Sequence, residues 1–325
     1  MYARRRLLAC IATLACMVPG LASAQASDYP SRPIKIVVPY NAGGIADILA
    51  RLIAPRLSEK YGQPVIVENR AGAGGHIGAD LVAKAPPDGY TLVLATISHN
   101  GAYAMYRNLP YDPPKDLKPV ALIAESASML VVHPSVPANS VQEFIALAKS
   151  RPGQLNYGSA GNGSAIHMAT ALFEHMADVK LTHVPYKGGA PAQTDLLGGQ
   201  IHLMFENVVT ALPHVKSGKL RALGVTSPKR NPSLPDVPTI DESGVKGYAS
   251  VPWYTISTGS GVPDEIVAKL AADIDAIVRS PDMAPEWEKR GLMPLGGTPQ
   301  EAAKRNAEEA ERWTAVIKAA NIQVN

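Results

Sequence analysis

Five segments of this chain place hydroxyls, amides and glycines directly after a short apolar run. Residues 34–38 are followed by Tyr40, Asn41, Gly43 and Gly44, and residues 91–95 by Thr96, Ser98 and His99. Residues 155–157 are followed by Ser159, Gly161, Asn162, Gly163 and Ser164. Residues 181–184 lead to Tyr186, Lys187 and Gly188, and residues 201–205 to Glu206 and Asn207. The chemistry these groups share is capture of an anion, not the breaking of a bond. Glycine lets a backbone approach a ligand closely, and a helix start offers unpaired N–H groups and a partial positive charge. Two of the segments, 41–44 and 158–164, run straight into helical patterns. Taken singly, each also resembles an ordinary strand-to-helix turn. Two such ends with interleaved hydroxyls and amides, facing each other, suit a small anion better.

Three charged or titratable groups near these ends carry two readings each. Asp47, in the first turn of the first helix, complements the helix dipole or organises the loop amides and a ligand ammonium. A bare carboxylate beside a bound anion would repel it, so Asp47 is not expected to touch a ligand carboxylate. Lys187 either counters an anion or is a solvated surface cation. His167 either donates to a ligand or packs its helix. If the protein were a hydrolase or isomerase, Asp47 or His167 would be needed for turnover. The signatures of such enzymes are missing: there is no Gly-x-Ser-x-Gly elbow and no His-Glu-x-x-His pair. The run Gly72-Ala73-Gly74-Gly75-His76-Ile77-Gly78 mimics a dinucleotide loop, but its third glycine comes one position late and the following acidic residue is absent. It reads as a tight strand-to-helix turn. No cofactor and no metal site are expected.

The elements that must hold these groups alternate regularly. Apolar runs at 34–38, 65–67 and 91–95 are separated by helical spacing through Ile45, Ile48, Leu49, Leu52, Ile53 and Leu57, and by a helix from about Gly75 to Ala85. That is a βαβαβ unit and predicts a parallel sheet. After Pro119 the pattern restarts, with strands at 129–132, 155–157, 181–184, 201–205 and 220–225. Ser140 with Glu143, and Thr298 with Glu301, form capping boxes for two further helices. Residues 227–248 read as surface loop. In open α/β sheets a ligand binds beyond the carboxyl ends of the strands, which is where the unusual residues fall. The expected class is α/β with two lobes; the last strand and helices are expected to return to the first.

Length and composition agree with that class. The chain has 325 residues with 46% hydrophobic and 18% charged, enough for two globular cores. Arg4, Arg5 and Arg6, the apolar stretch 7–17 and Ala22-Ser23-Ala24 read as a cleavable secretory leader over residues 1–24, too short to span a bilayer. The formal net charge of +3 falls to zero once that leader leaves, and no basic stripe marks a nucleic-acid partner. Cys10 and Cys16 leave with it, so the mature chain has no disulfide and no thiol chemistry. The expected location is the periplasm.

With these residues laid out, the chain resembles the tripartite tricarboxylate transporter receptors, the Bug family of extracytoplasmic solute receptors. The segments that carry the resemblance are Val37-Val38-Pro39-Tyr40 with Gly43-Gly44 and Asp47; Val67-Glu68-Asn69-Arg70 with Gly72-Ala73-Gly74-Gly75; Asp88-Gly89-Tyr90-Thr91; and Leu109-Pro110-Tyr111-Asp112. Further along come Leu155-Asn156-Tyr157-Gly158-Ser159 to Gly163, His183 to Gly188, and Asp236-Val237-Pro238-Thr239. The resemblance implies a type II-like periplasmic binding fold, two α/β lobes joined by crossing strands with the ligand cleft between them. Lobe 1 is expected from residues 25–126 and 251–325, lobe 2 from residues 127–250. It further implies a small carboxylate ligand (a di- or tricarboxylate, an acidic amino acid or an aromatic acid) held through backbone amides and water by the first Gly-Gly loop, with the Ser-Gly loop gripping the other end. Membrane permease subunits are the implied partners, and a membrane sensor kinase is the alternative. Asn41-Ala42 stand where the family usually has prolines, and Glu206 stands where it usually has Asp or Gly. Gly161→Val is expected to block binding and leave the fold intact.

Overall fold

The computed structural model describes residues 29–320 and residue 322; the expected leader lies outside the described residues. The first sheet contains β1 (Ile34–Val38), β2 (Val65–Asn69), β3 (Thr91–Ala95), β4 (Leu117–Glu125), β10 (Trp253–Gly259) and β11 (Met293–Pro294), in the order β11-β4-β10-β3-β1-β2. The second contains β5 (Ser128–Val132), β6 (Asn156–Ser159), β7 (Thr182–Pro185), β8 (Leu203–Asn207) and β9 (Arg221–Val225), in the order β7-β6-β8-β5-β9. Three parallel strands open each sheet: β2-β1-β3 in one and β7-β6-β8 in the other. In each, an antiparallel strand that has crossed over from the other half of the chain then inserts, β10 between β3 and β4 and β5 between β8 and β9.

The crossing segments run side by side. The Ser126 N–H donates to Pro252 O at 2.9 Å, and Ser128 and Thr226 exchange backbone and hydroxyl hydrogen bonds. This paired strap is where the two lobes are joined.

Helices fill both faces: α1 (Ile45–Tyr61), α2 (His76–Ala83), α3 (Ile97–Asn100), α4 (Pro113–Asp116), α5 (Val141–Ser150), α6 (Ala165–Ala177), α7 (Gly189–Leu197), α8 (Val208–Lys216), α9 (Asp264–Val278), α10 (Ala284–Arg290) and α11 (Pro299–Ala319). Central strands are apolar on both faces because both are covered: Ile34, Ile36, Val37 and Val38 of β1 are all fully buried. α6 is buried nearly all round, from Ile166 to Phe173, as its run of apolar and small residues demands. The capping box at Thr298 forms, with Thr298 and Glu301 bonding reciprocally; the one expected at Ser140 forms only in part, since Ser140 accepts the Glu143 N–H but the Glu143 carboxylate reaches one residue further back, to the Asn139 N–H.

Two elements differ from the sequence pattern. β4 carries Pro119 and lacks the alternation that marks a half-exposed strand, because it lies inside a sheet covered on both sides. α11 starts against the first sheet, where Ala302 packs with Leu122 and Trp253, and ends in the core of the second lobe with Trp313 and Ile317. Twenty-one residues give about 30 Å of helix, enough to reach from one lobe to the other.

Candidate functional site

The strand ends of the two sheets face each other and enclose a cavity of about 40 Å³, room for a few water molecules. Its lining comes mainly from helix starts: Gly44, Ile45 and Ala46 of α1, Ser164, Ala165 and Ile166 of α6, Gly189 of α7, and Glu206 and Asn207 ahead of α8. Tyr40, Thr96, Ala160 and Tyr254 complete it. Four helix N-termini thus converge on one space. The first N–H groups of each have no partner within their own helix, and the dipoles add a partial positive charge. Among the described residues, no lysine or arginine belongs to the lining. The site is therefore shaped for an anion that backbone amides, not cationic side chains, neutralise.

The loop before α1 is held in place by a polar cluster behind it. Asp47 is 5% exposed and accepts three hydrogen bonds, from the Gly43 N–H at 3.1 Å, Arg51 Nε at 3.0 Å and Asn69 Nδ2 at 3.0 Å. Burial alone would push its carboxyl up; the bonds from Arg51, Gly43 and Asn69 outweigh that and hold it below the usual carboxylate range. The Asn69 amide also donates to Tyr40 O at 3.0 Å. Asp47 points into this scaffold and is absent from the cavity lining. Tyr40, at the cavity, hydrogen-bonds Gly74 O, Thr96 Oγ1 and Ser98 Oγ at 3.0–3.1 Å. Tyr40→Phe is expected to cost about 1 kcal/mol of stability, read as a lower urea midpoint with an unchanged m-value.

A second set of residues forms the seam between the lobes. Ser98 Oγ donates to Gly163 O at 2.9 Å, Tyr106 Oη to Asn162 O at 2.7 Å, the Asn41 N–H to Lys187 O at 3.1 Å, and Tyr254 Oη to Asn207 Oδ1 at 3.2 Å. Backbones touch here: a Cβ on Gly74 would lie 2.0 Å from Asn162 O, one on Gly161 3.2 Å from the Gly74 Cα, and one on Gly188 3.0 Å from the Asn41 nitrogen. The Lys187 side chain is exposed; its contribution is the carbonyl.

The histidines serve packing. His167 Nδ1 accepts the Gly163 N–H at 3.0 Å, and its ring stacks on His183 at 4.2 Å. Burial first, and then the neighbouring imidazole, pulls His167 down to about 3, while burial takes His183 to about 4. Both are neutral at any ordinary pH. Ser159 Oγ lies 2.6 Å from His183 Nε2, the spacing of a nucleophile and its base. Ser159 is fully buried, however, takes the Gly161 N–H at 3.1 Å, and lies outside the cavity lining. The pair braces the loop and cannot meet a substrate. His99 Nδ1 accepts the Thr96 N–H at 3.1 Å, and burial holds the ring near 4. It borders a separate space under α11. Tyr186 donates to Asp195 at 2.6 Å.

Of the residues singled out in the sequence, Tyr40, Gly44, Thr96, Ser164, Glu206 and Asn207 therefore line the cavity. Asn41, Ser98, Gly161, Asn162, Gly163, Lys187 and Gly188 form the seam. Gly43, Asp47, Ser159, His167 and Tyr186 brace loops, and His99 faces elsewhere. The sequence alone did not single out Tyr254, Ile166, Tyr106 or Gly74. For Gly74 a signal existed in the glycine run 72–75, which serves as a turn and also as a contact for the other lobe.

Residues 49–322 match the family described as tripartite tricarboxylate transporter family receptor. The sequence is 36% identical over 315 residues to the protein BugT of Bordetella pertussis, covering 96% of this chain and 97% of that one. Among solved structures, Rpa4515 of R. palustris, solved with adipate, is 41% identical with a TM-score of 0.88, over 91% of this chain and 99% of that one. MatC of Rhodopseudomonas palustris, solved with malate, is 34% identical with a TM-score of 0.85, over 89% and 100%.

Proposed function

The chain belongs to the tripartite tricarboxylate transporter family of receptors, and from that premise we propose that it captures a small carboxylate in the periplasm and delivers it to a membrane permease. The observation that carries the carboxylate is the convergence of four helix starts on a cavity with no cationic side chain in its lining. A delocalised anion with two oxygens can take an amide hydrogen bond on each, and the dipoles supply the charge. Rpa4515 was solved with adipate and MatC with malate, and this supports trying dicarboxylates first. A cavity of about 40 Å³ is smaller than such an acid, so the lobes part to admit it. The paired strap at 126–128 and 250–252 is where that motion has to turn. Binding without turnover follows from the same geometry, since the serine, histidines and aspartate that could do chemistry are committed to loops.

The test is a thermal-shift screen of refolded protein, freed of carried-over ligand, against malate, adipate, succinate, citrate, glutamate and benzoate. An acid at about 100 times its dissociation constant stabilises by about 2.7 kcal/mol, a clear rise in Tm. A rise with one or more of these acids is the expected result; no rise with any of them overturns the proposal.

A further inference from the structure

Glu206 stands apart from every other polar residue of the cavity. It is the residue before the last in β8 and is 2% exposed. Its two oxygens have different surroundings. Oε1 accepts the Asn207 N–H at 2.9 Å and the Thr210 hydroxyl at 2.7 Å, both from the start of α8. Oε2 is buried and has no partner among the described residues. It faces the cavity beside Gly189, where even a Cβ would lie 3.4 Å from it. The elements packed around it supply no cation: Met129 of β5 lies opposite, α6 presents Ile166, α7 presents Gly189 and β10 presents Tyr254. Tyr40 and Tyr254 are the other titratable groups in the lining.

We propose that Glu206 is the specificity-determining residue of the site, a neutral carboxylic acid whose Oε2–H donates to a carboxylate oxygen of the bound ligand. This rests on the carboxylate-receptor function proposed above. The oxygen that accepts two donors has the role of the carbonyl, which leaves the proton to the unpartnered Oε2. Two carboxylates side by side in a buried site disfavour each other's ionised form, so one proton is kept between them. Burial already pushes the Glu206 carboxyl above the usual range, opposed by its bonds to Thr210 and Asn207. A short O–H···O⁻ bond is among the strong ones. No proton is transferred to the ligand or lost; it stays on Glu206.

A linkage follows. The folded-state pKa of Glu206 is raised, and a bound anion raises it further. Affinity is therefore full below the pKa of the unliganded protein and falls as pH rises through the interval between the two values, by at most about tenfold per pH unit.

Isothermal calorimetry of wild type, Glu206→Gln and Glu206→Ala with adipate and with malate, at about pH 6.5 and about pH 8.5, tests this. Glutamine keeps an acceptor at Oε1 and puts an N–H donor where Oε2–H stands. Glu206→Gln is expected within about threefold of wild type at the lower pH, and Glu206→Ala at least about tenfold weaker. Wild type is expected to lose more affinity at the higher pH than Glu206→Gln, for which only the titration of the acids themselves remains. Far-ultraviolet circular dichroism and Tm confirm that each variant is folded. Binding by Glu206→Gln more than about tenfold weaker at the lower pH, wild-type affinity that rises with pH, equal pH dependence in the two, or Glu206→Ala binding like wild type would each overturn the proposal. If wild type binds neither acid at either pH, nor any acid of the thermal screen, it is the carboxylate-receptor function itself that fails.

Discussion

Gly74→Val is expected to weaken ligand binding at least about a hundredfold, equivalent to about 2.7 kcal/mol, while each lobe keeps its fold. Gly74 has φ +62°, and a Cβ there would lie 2.0 Å from Asn162 O and 2.3 Å from Tyr106 Oη. Real Cβ atoms do not approach a carbonyl oxygen so closely, so the loop 72–75 and the loop 158–164 have to separate. The tyrosine hydroxyl can swing aside, but it then gives up its bonds to Ala73 O and Asn162 O. The left-handed backbone costs a non-glycine residue about 1–2 kcal/mol whether the lobes are open or closed. The clash with Asn162 exists only when they are closed, and it is therefore charged against binding. Calorimetry against a ligand of the wild type, together with the Tm of the ligand-free variant, separates the two costs. An unchanged dissociation constant would show that closure does not bring these loops together in solution. Gly161→Val is the less selective variant: its φ of +113° and the 3.1 Å approach to Tyr186 O lie within its own lobe, so folding is penalised too. The early expectation that it spares the fold does not match this geometry.

Asp47→Ala is expected to cost about 3 kcal/mol of stability near neutral pH and to weaken binding by loosening the 40–44 loop. The loss comes from the bonds to the Gly43 N–H and the Asn69 amide more than from Arg51, whose side chain is 53% exposed and whose ion pair is screened by water. The carboxyl is held below its ordinary value in the folded state. Its contribution is accordingly full above the unfolded value of about 3.9 and is lost as pH falls through the lower folded value. Urea unfolding of wild type and variant is expected to differ most at about pH 7 and progressively less below about pH 4. A difference that stays constant across that range would mean that packing, not the ionised carboxylate, supports the loop.

How much of this was legible beforehand depended on distance along the chain. The helix starts at Ser140 and Thr298 are each set within one helical turn: the capping box at Thr298 forms, and at Ser140 the serine cap forms while Glu143 turns to the Asn139 N–H. The strands read at 34–38, 91–95 and 201–205 (the last lies at 203–207) are short apolar runs leading into glycines, amides or hydroxyls, and the cavity opens at those ends. β4 escaped notice because a strand covered on both faces shows no alternation, and its proline reads as a stop. α7 and α8 carry Pro191 and Pro213, which blur a helical period, yet their first turns complete the anion site.

The alternating α/β order and the glycine-rich strand ends were written in the sequence, because each is set by neighbours within a few residues. Which oxygen of Glu206 is left without a partner, and that Gly74 meets Asn162, was decided by the tertiary structure. Those contacts exist only when the two lobes are brought face to face, and no local pattern records which residues will then share one buried space.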